Sequence, residues 1–339
     1  MLNICLVGCG GVGTIASIVL EKSKRAKVTA VLRSNYDLVS DKGFDVDSID
    51  HGKLFGWKPS TSKCFVLTVT PNLTRIVVRS LEDAAQGGPF DYVVVAMKAL
   101  PDVYSVPDII RPVVTPGVSA IVLIQNGLDI EIPLIEAFPE CTIMSGVSHT
   151  GTRITGNFVY HEDREKLFIG AHYHSGLPKE KQTEATKLYV ETYAAGGPTA
   201  CTYAEDIIFY RWRKLFWNGA FNTLCTLTGL DVGSLQKGGG TETLLRPALL
   251  EIYEVTKAAG YTFPEDMVER TIRDTPPSSP FKPSMQVDLE KGNPLEIEPI
   301  LGGLLNHAKE LGVVTPILST AYNVLKLVQW KLIQAKKSM

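Results

Sequence analysis

The chain has no Cys-x-x-Cys pair, no clustered histidines, no excess of either charge sign and no apolar run long enough to span a bilayer. Each absence excludes something. The six cysteines (Cys5, Cys9, Cys64, Cys141, Cys201 and Cys225) are scattered through 339 residues. That spacing fits neither a disulfide framework nor a zinc site, and it suits reduced, mostly buried thiols. His172 and His174 stand two apart, on one face of a strand if the segment is extended. No acidic or cysteine partner accompanies them in sequence, so no metal is expected. Basic and acidic residues number 34 and 36, a net charge of −2, which argues against nucleic acid or an anionic membrane as the main partner. The uncharged stretches Val113–Leu128 and Leu215–Leu230 are interrupted by Pro, Gly, Gln or Asn. Both fall short of the ~18–20 apolar residues that a span requires. The first charged residue is Glu21, so the basic region that opens a signal peptide is missing and a cytoplasmic location is the expectation.

What is present suits buried cores: 45% of the residues are hydrophobic and 21% charged. Residues 2–7 read as a short buried strand, Gly8-Cys9-Gly10-Gly11-Val12-Gly13 follows at once, and Thr14–Lys22 has helical apolar spacing. Lys27–Arg33 completes a βαβ unit. Cys64–Thr70 and Thr74–Val78, flanking Pro71-Asn72, look like an antiparallel excursion. Tyr92–Met97, Ala120–Gln125 and Ile143–Val147 are apolar runs suited to buried parallel strands. Phe158–His161 and Leu167–Gly170 read as two late, partly exposed strands. Beyond residue 180 strand signals fade and helical patterns take over: Lys181–Ala194, Asp206–Leu227, Thr241–Ala259, Glu265–Arg273, Glu298–Leu311 and Ile317–Ala335. The expected architecture is an α/β N-terminal domain with a mostly parallel sheet, residues 1–204, followed by an all-α C-terminal domain, residues 205–339.

The loop Gly8-x-Gly10-x-x-Gly13 lies between a predicted strand and a predicted helix, the context in which each glycine has a task. The first permits the tight turn, the second lets a pyrophosphate approach the backbone, and the third lets helix and strand pack closely. A Rossmann-type dinucleotide site is therefore expected, with the helix N-terminus offering free N–H groups to the phosphates. At the end of the second strand the residues are Leu32-Arg33-Ser34-Asn35, with no carboxylate before Asp37. Arg33 can pair with a 2′-phosphate, so NADP(H) is the expected cofactor. Lys98 and Asn126 follow two predicted strands at their carboxyl ends, where ligands of open sheets sit. The alternatives are a solvated lysine and an ordinary Asn-Gly turn.

In the helical half, Lys214, Asn218 and Asn222 are spaced i, i+4, i+8. On a straight α-helix such residues share a face, here among Trp212, Leu215, Phe216, Trp217 and Phe221. A lysine and two amides in that setting either line a polar cleft or form the solvent-facing stripe of an amphipathic helix. Glu296, in Asn293-Pro294-Leu295-Glu296-Ile297-Glu298-Pro299, stands at a helix start, where acidic residues are favoured for the helix dipole alone. Ser284 reads as an N-cap, or as a hydroxyl donor to a substrate carboxylate.

With these residues in hand, the sequence resembles the ketopantoate reductase family (2-dehydropantoate 2-reductases) nearly end to end. The resemblance runs from Leu6–Gly13 through Met97-Lys98-Ala99, Gln125-Asn126-Gly127 and Trp212-Arg213-Lys214-Leu215 with Asn218 and Asn222. It ends at Pro283-Ser284-Met285 and Leu295-Glu296-Ile297 with Gly302. It implies that Lys214 is a general acid, protonating the C2 ketone oxygen of a 2-oxo acid as hydride arrives from NADPH. It implies that Glu296 holds the substrate hydroxyl and orients Lys214, and that Asn218, Asn222 and Ser284 grip polar groups of the substrate. Lys98 and Asn126 would lie at the nicotinamide end, in a cleft between the two domains. Ketopantoate is the implied substrate, within pantothenate and coenzyme A synthesis, and a homodimer is the candidate assembly.

Two features depart from the family pattern. The stretch between the second strand and Tyr92 is long and includes His51–Trp57. Phe216, Trp217 and Phe221 stand where smaller residues are common in the family, which points to a reshaped pocket. Two alternatives therefore stand beside ketopantoate reduction: a related reductase or dehydrogenase of another 2-oxo or 3-hydroxy acid, and a non-catalytic NADP-binding sensor. The presence of Lys214, Asn218 and Glu296 speaks against the sensor.

Overall fold

A computed structural model describes residues 1–32, 35–59, 77–78 and 81–337. Among the described residues, ten strands form one sheet: β1 (Leu2–Val7), β2 (Ala26–Val31), β3 (Phe44–Ser48), β4 (Gly52–Trp57), β5 (Val77–Val78), β6 (Tyr92–Val95), β7 (Ala120–Leu123), β8 (Ile143–Thr155), β9 (Phe158–Ala171) and β10 (Ala200–Tyr203). Their order is β4-β3-β9-β8-β7-β6-β1-β2-β5, with β10 beside β9. Pairing is parallel from β5 to β8, antiparallel between β8 and β9 and between β3 and β4, and parallel again between β9 and β3. The sheet is mostly parallel, and the βαβ unit read from the sequence is present as β1, the helix Gly11–Lys22 and β2. Strands β1, β6 and β7 are apolar runs because both faces of this part of the sheet are covered.

One strand expectation needs correction. The late strands Phe158–His161 and Leu167–Gly170 are one strand, β9, paired along its length with a β8 that continues well past Val147. The outer half of this hairpin is half-exposed and carries Arg153, Glu162, Asp163 and Arg164, so a criterion of apolar runs cuts it in two. The turn is Gly156-Asn157, where Gly156 has φ +61°. The stretch around His51–Trp57 is β3 and β4, an antiparallel pair added to the sheet through β9. The antiparallel excursion falls largely outside the described residues. Its last two residues, Val77–Val78, pair in parallel with β2.

The chain divides into two compact units, each with its own apolar core. The first comprises Met1–Lys98, Ser105–Gln125 and Glu131–Ile207, and the second Ala99–Tyr104, Asn126–Ile130 and Ile208–Met339. The first core is built from the sheet, the helix Gly11–Lys22 and Tyr189 and Tyr193 of the helix Lys179–Ala194. The second is helical, centred on Trp212, Phe216, Phe221, Leu249, Ile252 and Leu304. Four helices expected as continuous are not so simple. Asp206–Leu227 is an α-helix (Ile207–Leu215), a π-helical segment (Phe216–Asn222) and a further α-helix (Thr223–Thr228). Glu298–Gly302 and Gln236–Leu245 are π-helical too, each leading into an α-helix (Gly303–Glu310 and Arg246–Ala258). The segment Glu265–Arg273 is helical only from Met267. Among the described residues no helix is long and apolar enough to cross a membrane.

One buried carboxyl in the first unit has a measurable consequence. Glu165 of β9 accepts from Tyr193 Oη at 2.9 Å and from Ser148 Oγ at 3.4 Å, and its own N–H donates to Asp50 Oδ2 at 3.0 Å. Burial pushes its carboxyl up from 4.5 to about 7, the two hydroxyl donors opposing the shift. A folded-state value raised above the unfolded one contributes stability below the unfolded value that is lost as pH rises through the folded value. Wild type should therefore lose stability between pH 4.5 and about 7, by up to about 3 kcal/mol from this group. Glu165→Gln should flatten that part of the profile in urea midpoints measured across the range. Parallel profiles for the two proteins would show that the carboxyl is already ionised when folded.

Candidate active site

Of the expected functional residues, the glycine loop and Lys98 lie in the first unit, and Lys214, Asn218, Asn222, Ser284 and Glu296 in the second, together with Asn126, which was expected beside the cofactor. In the first unit, the three glycines of the loop have different surroundings. Gly8 has φ +101°, and a Cβ there would come within 2.5 Å of the Met97 backbone nitrogen. A Cβ on Gly13 would collide with the Gly8 carbonyl oxygen, so the third glycine lets the helix close against the strand end. A Cβ on Gly10 would meet nothing within 4 Å. The open side is therefore at the middle glycine. Gly10 also precedes the helix Gly11–Lys22 without a side-chain cap, and its first turn carries no acidic residue. The positive end of the helix is thus left for an anion.

The other expected cofactor residues are accounted for as follows. Gly11 lies against Thr152, whose Oγ1 would be 2.6 Å from a Cβ, and Val12 is half-buried against the first core. The Cys9 thiol is buried, and that burial pushes it up to about 12, so it is an unreactive packing group. Lys98 is half-buried and ends its segment of the first unit. Gln125 Nε2 donates to Met97 O at 2.7 Å, tying together the segments that follow β6 and β7. Arg33 lies outside the described residues. His172 and His174 go separate ways: His172 meets Ser145 Oγ at 2.6 Å and Glu131 Oε1 at 3.4 Å, while His174 Nε2 meets Cys141 O at 3.0 Å. Among the described residues no group of ligands could hold a metal.

In the second unit, Glu296 is only 4% exposed. Its Oε1 accepts from the backbone N–H of Ala99 and its Oε2 from Asn126 Nδ2, both at 3.1 Å. The two loop segments that bring Ala99 and Asn126 belong to this unit although the chain around them belongs to the other. The Asn126–Gly127 turn is moulded to the residues after Glu296. Gly127 has φ +104°, a Cβ there would collide with Pro299, and Leu128 N donates to Pro299 O at 2.8 Å. Sequence reasoning identified Asn126 and Glu296 separately. Their hydrogen bond spans 170 positions, and no local pattern announces it.

Lys214 lies in the last turn of the helix Ile207–Leu215 and is half-buried. Asn218 and Asn222 follow in the π-helical segment and are 5% and 1% exposed. A four-residue step overshoots one α-helical turn by about 40°. In a π-helix, with i→i+5 bonding, the same step falls short of a turn, so the drift reverses and the polar residues stay on one side. No hydrogen bond of the Asn218 amide to another described residue is seen. Asn222 is engaged: its Oδ1 accepts from Met285 N at 2.9 Å and its Nδ2 lies 3.5 Å from Ser284 Oγ. The Ser284 N-cap expectation is corrected here. The helix Ser284–Glu290 starts after Pro283, without a cap from its own residues, and Asn222 supplies the acceptor from another helix. Ser284 itself is exposed. Phe216 and Phe221 are buried in the core, against Phe263 and Trp217 respectively, so of the three unusual aromatics only Trp217 is half-buried. Sequence reasoning passed over Arg211, which is 3% exposed and donates to Gly127 O at 2.7 Å.

Residues 4–173 match the family described as ketopantoate reductase PanE/ApbA, and residues 206–329 match its C-terminal part. The chain is 34% identical to the uncharacterized protein YDL144C of Saccharomyces cerevisiae, over 99% of this chain and 96% of that one. It is 25% identical to the 2-dehydropantoate 2-reductase of a Nostoc species, over 95% and 93% of the two chains. The crystal structure of 2-dehydropantoate 2-reductase from Methylococcus capsulatus superposes with a TM-score of 0.78 at 28% identity, covering 98% of each chain. The chain belongs to the ketopantoate reductase family.

Proposed function

We propose that the protein is an NADPH-dependent reductase of a 2-oxo acid, with 2-dehydropantoate as the leading substrate and pantoate as the product. The observation that carries the reading is the buried Glu296 carboxylate, held by Ala99 N–H and Asn126 in the unit that also bears Lys214 and the unengaged Asn218 amide. A carboxylate fixed in this way has an orientation prepared for a ligand. The glycine loop fits a dinucleotide, since its middle glycine is open and its helix end is free of acidic residues. We assign residues 1–204 to dinucleotide binding and 205–339 to substrate binding and catalysis.

When bound, NADPH supplies the hydride that reduces the C2 ketone. Cys9, Gly10, Gly11, Val12 and Gly13 would offer backbone N–H groups and close approach to the pyrophosphate, Gly8, whose own N–H donates to Val31 O at 3.2 Å, would set the turn, and Arg33 would pair with the 2′-phosphate. Lys214 Nζ donates a proton to the ketone oxygen as negative charge develops there. Glu296 accepts a hydrogen bond from the substrate hydroxyl and orients Lys214. Asn218 and Ser284 donate to the substrate's polar groups, and Asn222 sets the position of Ser284. Lys98 and Asn126 serve the nicotinamide end. Pantoate made here would enter pantothenate and coenzyme A synthesis, in a cytoplasmic enzyme with a homodimer as the assembly to test. Trp217, large and half-buried three residues after Lys214, favours a second reading in which another 2-oxo or 3-hydroxy acid is the substrate.

Oxidation of NADPH across a panel of 2-oxo acids tests the substrate, with fastest turnover expected on ketopantoate. Lys214→Ala should lower kcat by about 10²–10⁴ while NADPH binding persists. Full activity in that variant would remove Lys214 from the proton step. Arg33→Ala should weaken NADPH far more than NADH, and equal losses would rule out the 2′-phosphate contact. Gly10→Ala should keep its melting temperature within ~2 °C of wild type and bind NADPH at least ~10-fold more weakly. Gly13→Ala should lower the melting temperature as well, because its added methyl meets backbone. Unchanged affinity in Gly10→Ala would mean that no phosphate lies there.

A further inference from the structure

Arg211 and Arg213 are two residues apart in Tyr210-Arg211-Trp212-Arg213-Lys214, and they face different surroundings. Arg213 is exposed, whereas Arg211 is 3% exposed. A guanidinium is tolerated at such depth when its N–H groups are set on acceptors. Its Nη1 donates to the carbonyl of Gly127 at 2.7 Å. That carbonyl belongs to a turn already held on its other side. Pro299 crowds the position where Gly127 lacks a side chain, and the Pro299 carbonyl receives the Leu128 N–H at 2.8 Å. Asn126, one residue earlier in the turn, donates to Glu296 Oε2 at 3.1 Å. Arg211 also precedes Lys214 by three residues, less than one turn of the same helix.

We propose that Arg211 is a positioning residue for the reduction. It fixes the Asn126–Gly127 turn to the helix that carries Lys214, so that Asn126 holds Glu296 in the orientation the proton-donating step requires. One helix thus presents the acid and, three residues earlier, anchors the turn that aims the acid's partner. The planar fork suits a backbone carbonyl while its remaining N–H groups reach other acceptors, which an ammonium on a flexible stem does less well. The proposal rests on the roles given above to Lys214 and Glu296.

The test uses the full chain with Arg211→Met and Arg211→Lys, each alone and combined with Asn126→Ala. Two readouts are taken: steady-state reduction of the best 2-oxo acid, and hydrogen exchange of the peptide covering residues 126–130. Arg211→Met should lower kcat about 10- to 100-fold with NADPH affinity kept, and Arg211→Lys should recover part of the loss. In the Asn126→Ala background, Arg211→Met should cost less than about 2-fold further, because both changes break one linkage. Exchange at 126–130 should rise at least ~10-fold in Arg211→Met, while the exchange of β1 and β6 stays as in wild type. Fully multiplicative kcat losses in the double variant, or unchanged exchange at 126–130, would overturn the proposal. If Arg211→Met fails to fold, Arg211→Lys carries both the cycle and the exchange comparison. If wild type reduces no 2-oxo acid, the reading of function fails, and the exchange result still decides whether Arg211 holds the turn.

Discussion

A carboxylate that is 4% exposed is stable only where each oxygen has a donor, and Glu296 obtains its donors from far away in sequence. One is the backbone of Ala99 and the other the side chain of Asn126. Both must be brought to Glu296, two residues before the π-helical turn Glu298–Gly302. The segments Ala99–Tyr104 and Asn126–Ile130 accordingly belong to the helical unit although they follow strands of the sheet. Other bonds hold the same segments: Gln329 Nε2 donates to Asp102 at 3.0 Å, and His307 Nε2 meets Asp129 Oδ2 at 3.0 Å. The satisfaction of one buried charge and the docking of two loops are the same structural event.

The helical unit meets a second demand, that of keeping polar groups together on a helix wrapped in aromatics. Phe216, Phe221 and Trp212 bury their rings in the core, with Phe216 against Phe263 and Trp212 against Tyr261 and His307. The widened turn from Phe216 to Asn222 offsets the drift that a straight α-helix would impose on residues four apart. Asn218 is left without a partner among the described residues, while Asn222 is spent on the next helix. Two amides with the same spacing and the same residue type thus do different work, because one faces the N-terminus of Ser284–Glu290 and the other does not.

Much of the first unit was legible from local pattern. The fingerprint Gly8-x-Gly10-x-x-Gly13 lies between an apolar run and a helical period, and in the structure it joins β1 to the helix Gly11–Lys22, with Gly8 at positive φ, Gly13 packed on Gly8 and open space at Gly10. The buried strands β1, β6 and β7 are short continuous apolar runs, which is how a strand covered on both faces reads. The β8–β9 hairpin was broken into pieces because half of it faces solvent, and the β3–β4 pair was missed for the same reason. In the second unit, the residue types at Lys214, Asn126 and Glu296 stood out. Arg211 did not, since an arginine in a run of charges looks like a surface residue until its burial is known.

The sequence alone determined the first βαβ unit, its glycine-rich loop and the family, because these rest on spacings within a dozen residues or on motifs carried along the whole chain. Tertiary structure alone decided which polar groups meet: Ala99 and Asn126 on Glu296, Arg211 on Gly127, Asn222 on Met285. The physical reason is that a buried polar group takes whichever partner packing brings within about 3 Å. That choice depends on how distant segments fold together and leaves no trace in the residues on either side.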